Sequence, residues 1–101
     1  MKHYIYKITN LVNAREYIGV RSHPFPEEDS YMSSSLILKH DINKIGIENF
    51  KKEILECFDT REDADKREVE LVNYEYVTNP NTYNQRTGGP SGVALSSLRL
   101  D

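Results

Sequence analysis

Residues 4–21, Tyr4-Ile5-Tyr6-Lys7-Ile8-Thr9-Asn10-Leu11-Val12-Asn13-Ala14-Arg15-Glu16-Tyr17-Ile18-Gly19-Val20-Arg21, decide the fold. Apolar and polar residues alternate on either side of Asn10–Ala14, so the stretch predicts two strands joined by a hairpin turn. Successive side chains of a strand point to opposite faces. Tyr4, Tyr6 and Ile8 therefore share one face of the first strand. On the second strand Tyr17, Gly19 and Arg21 share a face, with Ile18 and Val20 opposite. A turn of this length brings Tyr6 and Tyr17 together beside a residue with no side chain and a cation.

Working outward, Ser22–Ser30 carries two prolines and an acidic cluster, which predicts a loop. Ser33-Ser34-Ser35 offers N-cap hydroxyls for a helix through Lys44, with Leu38, Ile42 and Ile45 at helical spacing and Gly46 to end it. Phe50–Phe58 reads as a third strand whose alternation is imperfect. Thr60 and Asp63 approximate a capping box, opening a second helix expected to reach Tyr76 or Val77, where Asn79-Pro80-Asn81 stops it. Tyr83–Gly89 is irregular. Val93, Ala94, Leu95, Leu98 and Leu100 suggest a docking helix or a tail. The expected fold is α+β: a small three-stranded antiparallel sheet flanked by helices, in the order β-β-α-β-α-tail. Residues 1–90 would form one domain and residues 91–101 a C-terminal tail.

A chain of 101 residues suits a single domain. No apolar run approaches the ~18 residues of a membrane span, and Tyr, Lys and Asn interrupt the N-terminus where a signal peptide would need apolar residues. No membrane partner is expected. The single cysteine, Cys57, lies in an apolar run and reads as a core thiol, which together predicts a cytoplasmic setting. A formal charge of -3 argues against nonspecific coating of nucleic acid, yet leaves room for a nucleic-acid enzyme with a local basic patch.

Chemistry enters with the second helix. At 100° per residue, Ala64, Leu71 and Val72 define its apolar side, and Glu68 falls within that stripe while Glu70 lies opposite. An inward carboxylate needs either an ion-pair partner or a metal. Arg21 shares the face of Tyr17 and can reach the same site. Lys39 and His40 lie on the first helix and His23 on the loop before it. No histidine has metal-ligand spacing to a partner, which excludes a zinc motif, and there is no Gly-rich phosphate loop or nucleophile elbow. Asn84, after Tyr83, is a residue type common in turns.

Taken together, the chain resembles the GIY-YIG nuclease superfamily over residues 3–89. Tyr4-Ile5-Tyr6 resembles the first motif with tyrosine for the leading glycine, and Tyr17-Ile18-Gly19 matches the second. Lys44-Ile45-Gly46-Ile47-Glu48-Asn49-Phe50, Arg67-Glu68-Val69-Glu70-Leu71-Val72 and Tyr83-Asn84 with Gly88-Gly89 are similar to three further segments, in the same order. The style is that of small phage-encoded or homing-type members. The resemblance implies a metal-dependent DNA endonuclease in the cytoplasm of a bacterial host, hydrolysing phosphodiester bonds with one divalent cation, magnesium or manganese, held by Glu68. It implies that Tyr6 and Tyr17 flank the attacking water and the phosphate, with Tyr6 as general base. Arg21 would stabilise phosphate charge, and Gly19 would let the DNA backbone approach. Asn84 would orient the site, with His23, Lys39 and His40 available to position substrate.

The family's helical arginine and histidine have no counterpart in the Pro24–Asp29 loop, and Arg21 ranks first as their replacement. Residues 91–101 leave little room for a separate DNA-binding module. DNA recognition through the catalytic domain, a homodimer, an accessory DNA-binding partner or a longer parent chain are the expectations. The alternative is a catalytically inactive nucleic-acid-binding or interaction module of the same fold.

Overall fold

A computed structural model describes residues 1–90 and 92–94. Strand β1 (Lys2–Asn10) is central, hydrogen-bonded on one side to β2 (Glu16–His23) and on the other to β3 (Phe50–Phe58), both antiparallel. Helix α1 (Leu36–Ile45) precedes β3, and α2 (Arg61–Leu71) and α3 (Tyr74–Thr78) follow it, with 3-10 turns at Pro26–Glu28 and Ile47–Asn49. This is the expected three-stranded antiparallel α+β arrangement. The central place of β1 pairs both of its edges, and packing on either side of the sheet covers both of its faces. Tyr4, Tyr6 and Ile8 pack with Leu38 of α1, Phe50 and Tyr83, while Ile5 on the other face packs with Ile18, Val72 and Val77.

The caps form where the residue types call for them. Ser35 Oγ accepts from the Leu38 N–H at 3.3 Å, Thr60 Oγ1 accepts from the Asp63 N–H at 3.2 Å, and Gly46, at φ 94°, ends α1. The hairpin turns through Asn10–Arg15, with the Ala14 N–H donating to Asn10 O at 2.8 Å. Three expectations are corrected. The second helix does not run unbroken to Tyr76: it stops at Leu71, and Asn73 Oδ1 accepts from the Tyr76 N–H at 3.0 Å to start α3. The short 3-10 turn within Ser22–Ser30 is likewise an addition to the expected loop.

Cys57 is exposed, not a core thiol. The cause is a β-bulge in β3: Ile5 pairs with Glu56 but Tyr6 with Ile54, leaving Leu55 as the extra residue. A one-residue insertion flips every later side chain to the other face. Phe50 and Ile54 thus pack toward α1, Phe58 packs on the opposite side with Ile5, and Cys57 is turned to the Tyr4 face near the end of an edge strand. The imperfect alternation of this strand is the bulge. As for the C-terminal residues, 92 and 93 have no regular structure and Arg86 bridges to Ala94 in antiparallel fashion. The expected tail or docking helix otherwise falls outside the described residues. No helix among the described residues is long and apolar enough to cross a membrane.

Candidate active site

Strand β2 is an edge, and an edge strand presents unpaired backbone groups. Here the segment after α3 fills them. Glu16 N–H donates to Asn81 O at 3.0 Å, and the Tyr83 N–H donates to Glu16 O at 2.7 Å. Asn84 then replaces backbone with side chain: its Oδ1 accepts from the Ile18 N–H at 3.0 Å, and its Nδ2 donates to Ile18 O at 2.7 Å. Tyr17 lies between these two anchor points, so the register of the Tyr83-Asn84 segment sets its height on the strand. Tyr83 itself is anchored, donating to Asp41 Oδ2 at 2.7 Å and accepting from Asn10 Nδ2 at 3.0 Å.

The chain next crosses to α2. The helix break leaves Val72 O free to accept from the Gly88 N–H at 2.7 Å. A side chain at residue 88 would collide with the Glu68 backbone carbonyl, which explains glycine there. Gly89 has φ +85°, a conformation costly for other residues, and its N–H donates to Glu68 Oε1 at 3.0 Å. Glu68 is half-buried whereas Glu70 is exposed and bonds Arg67 Nη1 at 3.0 Å. Among the described residues Glu68 makes no ion pair. Burial raises its pKa from the usual 4.5, against the opposing pull of the Gly89 N–H.

Glu68, Tyr17 and Asn84 line one open cleft of about 400 Å³, together with Ser35, Arg86 and Gly89. Tyr6 and Tyr17 meet as expected, with ring centroids 6.1 Å apart. Gly19 pairs with Tyr6 across the strands, and a Cβ on it would sit 2.6 Å from the Tyr6 phenol oxygen. The space that glycine opens is therefore filled by the Tyr6 ring, not left for a DNA backbone. Tyr6 is 1% exposed, and burial, reinforced by the phenols of Tyr17, Tyr31 and Tyr4, pushes its pKa well up. That environment opposes a phenolate. Tyr17 is half-buried and faces the cleft.

Arg21 is engaged elsewhere. Its Nε donates to Asp29 Oδ2 at 3.1 Å and its guanidinium stacks 4.1 Å from the Tyr31 ring centroid. The same Asp29 oxygen accepts from the Tyr4 hydroxyl at 2.7 Å. Lys52 Nζ donates to Tyr4 Oη at 2.9 Å, Asp29 O at 3.0 Å and Tyr31 O at 2.6 Å. Burial resists the Asp29 charge, but hydrogen bonds to the carboxylate from the Tyr4 hydroxyl, the Tyr31 N–H and Arg21, with the Lys52 charge, overcome it and hold the carboxyl down at about 2. Burial lowers the Lys52 pKa despite Asp29. His23 Nδ1 accepts from the Phe25 N–H at 3.0 Å, Lys39 borders a separate groove beside Tyr31, and His40 is exposed on α1. None of the three lines the Glu68 cleft. Sequence reasoning missed Lys52, Asp29 and Arg86; only Arg86 had a signal, its position between Asn84 and Gly88.

No group of three His, Cys, Asp or Glu side chains converges among the described residues. A single carboxylate nonetheless fits a magnesium-like ion, which keeps several waters and takes one or two carboxylates. Glu68 has that character: one oxygen is fixed by Gly89, and among the described residues the other accepts no hydrogen bond and no cation lies within ion-pair distance, the Arg61 charge acting on it only from farther away.

The family model described as "Putative endonuclease segE, GIY-YIG domain" matches residues 26–87. Three proteins of Enterobacteria phage T4 are similar. "Putative endonuclease segD" is 47% identical over 99 residues, covering 98% of this chain and 44% of that protein. "Putative endonuclease segB" is 46% identical over 92 residues, covering 91% and 41%. "Endonuclease segA" is 39% identical over 89 residues, covering 88% and 40%. The chain thus spans less than half the length of the curated relatives it matches. No solved structure matches it.

Proposed function

This chain belongs to the GIY-YIG domain family, and we propose that it is a DNA endonuclease that hydrolyses phosphodiester bonds with one divalent cation held by Glu68. The observation that carries this is Glu68 itself, a half-buried carboxylate with no ion-pair partner among the described residues, lining a cleft with Tyr17 and Asn84. A solvated face would leave such a group exposed, as Glu70 is. A purely structural role would give it a counter-ion. Magnesium or manganese bound there would neutralise charge developing on the phosphate.

The chain's own residues have distinct tasks. Tyr17, in the cleft, accepts a proton from the attacking water at its hydroxyl oxygen while passing its own proton to solvent. The water oxygen bonds to phosphorus as the bond from phosphorus to the departing sugar oxygen breaks, and that oxygen takes up a proton from solvent. Tyr6, buried behind it, supports the Tyr17 ring, so the base role moves from the inner phenol to the outer one. Gly19 admits the Tyr6 ring, and Asn84 holds the Ile18 backbone and with it Tyr17. Gly89 aims Glu68. Arg21, bound to Asp29 and Tyr31, shapes the wall behind Tyr6.

Nicking of supercoiled plasmid with magnesium tests the reading. Wild type and Glu70→Ala should nick at similar rates, and Glu68→Ala should lose at least about 100-fold, the scale of losing a transition-state charge stabiliser. A folded wild type inert on duplex and branched DNA, with magnesium and with manganese, would leave the inactive binding module in its place.

A further inference from the structure

We propose that Arg86 is the cation of this cleft that contacts a DNA phosphate, a role that rests on the nuclease reading above. Phosphate in such a cleft needs a donor of positive charge facing the metal-binding carboxylate, and a guanidinium suits it because its fork of N–H groups matches two phosphate oxygens. Arg86 is the sole Lys or Arg lining the cleft among the described residues. It is exposed, and it forms no ion pair among the described residues, with Glu68 or any other carboxylate. Two opposite charges that share about 400 Å³ of open space without pairing leave room for an anion beside one and a cation beside the other.

The other arginines among the described residues, and Lys52, are committed. Lys52 spends all three ammonium hydrogens on Tyr4, Asp29 and Tyr31. Arg21 is held by Asp29, Arg61 by Asp65 and Ser22, and Arg67 by Glu56 and Glu70. Arg15 lies over the Tyr83 ring, 4.2 Å from its centroid. Arg86 is positioned from behind: its Nη2 donates to Gly92 O at 2.7 Å, and its backbone bridges to Ala94. This one anchor leaves the remaining guanidinium N–H groups for a ligand.

Arg86→Gln retains a donor for Gly92 O and removes the charge, whereas Arg86→Lys keeps the charge and loses the fork. Two measurements apply: single-turnover plasmid nicking with magnesium, and duplex binding with calcium across a salt series. For Arg86→Gln we expect a loss of about 100-fold in single-turnover rate. Its log affinity against log salt should flatten by about one unit. Arg86→Lys should restore the slope and only part of the rate, with thermal melting of both variants close to wild type. An unchanged salt slope for Arg86→Gln overturns the proposal, as does nicking within about threefold of wild type. If wild type cleaves no DNA, the nuclease reading fails, and the salt slope alone then decides whether Arg86 meets a phosphate.

Discussion

A glutamate held half out of water, with no ion-pair partner among the described residues, is an electrostatic liability to the folded protein. Its raised pKa means that the folded protein binds the Glu68 proton more tightly than the unfolded chain does. Stability therefore falls as pH rises from the unfolded value of 4.5 through the folded one. Glu68→Gln removes the penalty. Without added metal, this variant should melt at or above the wild-type temperature at neutral pH, the gap closing as pH falls toward 4.5. A clear drop in melting temperature at neutral pH would show the charge to be structurally paired. The inward position of Glu68 was legible from helical periodicity. That no cation among the described residues pairs with it was not, because ion pairing depends on which segments fold over the helix.

At the scale of elements, the decisive event is the docking of residues 81–89 along β2 and onto α2. The segment has no regular secondary structure, so no periodicity announces it. Backbone pairing at Glu16, the Asn84 amide at Ile18, and the Gly88 N–H at Val72 hold it instead. The break after α2 is part of the same arrangement, since it releases the Val72 carbonyl. Asn84→Ala removes two hydrogen bonds and leaves buried Ile18 groups unpaired. Chemical denaturation should show a loss of about 2 kcal/mol. Amide exchange should quicken at Ile18 more than in central β1. Equal protection at Ile18 in both proteins would mean that the amide is dispensable to docking. The β3 bulge belongs to this scale too: five apolar or aromatic residues in the sequence mark the strand, but only pairing with β1 reveals that Leu55 is extra and Cys57 is turned out.

Across the whole molecule, Asp29 fastens the loop between β2 and α1 to the sheet by accepting from Tyr4 of β1 and Arg21 of β2, while Lys52 of β3 holds the same loop by its carbonyls. The Asp29 carboxyl is held at about 2 against an ordinary 3.8. The stability this confers is fully present above the unfolded value and is lost as pH falls from 3.8 through about 2. The shift corresponds to about 2 kcal/mol. Asp29→Asn should lose about that much at neutral pH and show a flatter acid limb in urea titrations run from about pH 2 to about pH 7. Parallel acid limbs for the two proteins would remove Asp29 from the network. The sequence by itself determined the hairpin, the three strands, both helix starts and the inward Glu68, because alternation, capping and helical spacing are local rules. Only the tertiary structure decided which cation lines the cleft, which phenol meets it and what occupies the room at Gly19. Those depend on how separate elements come together: the loop carrying Asp29 folding back onto Arg21, the Tyr6 ring lying over Gly19 of the paired strand, and Arg86 and Glu68 lining the same cleft.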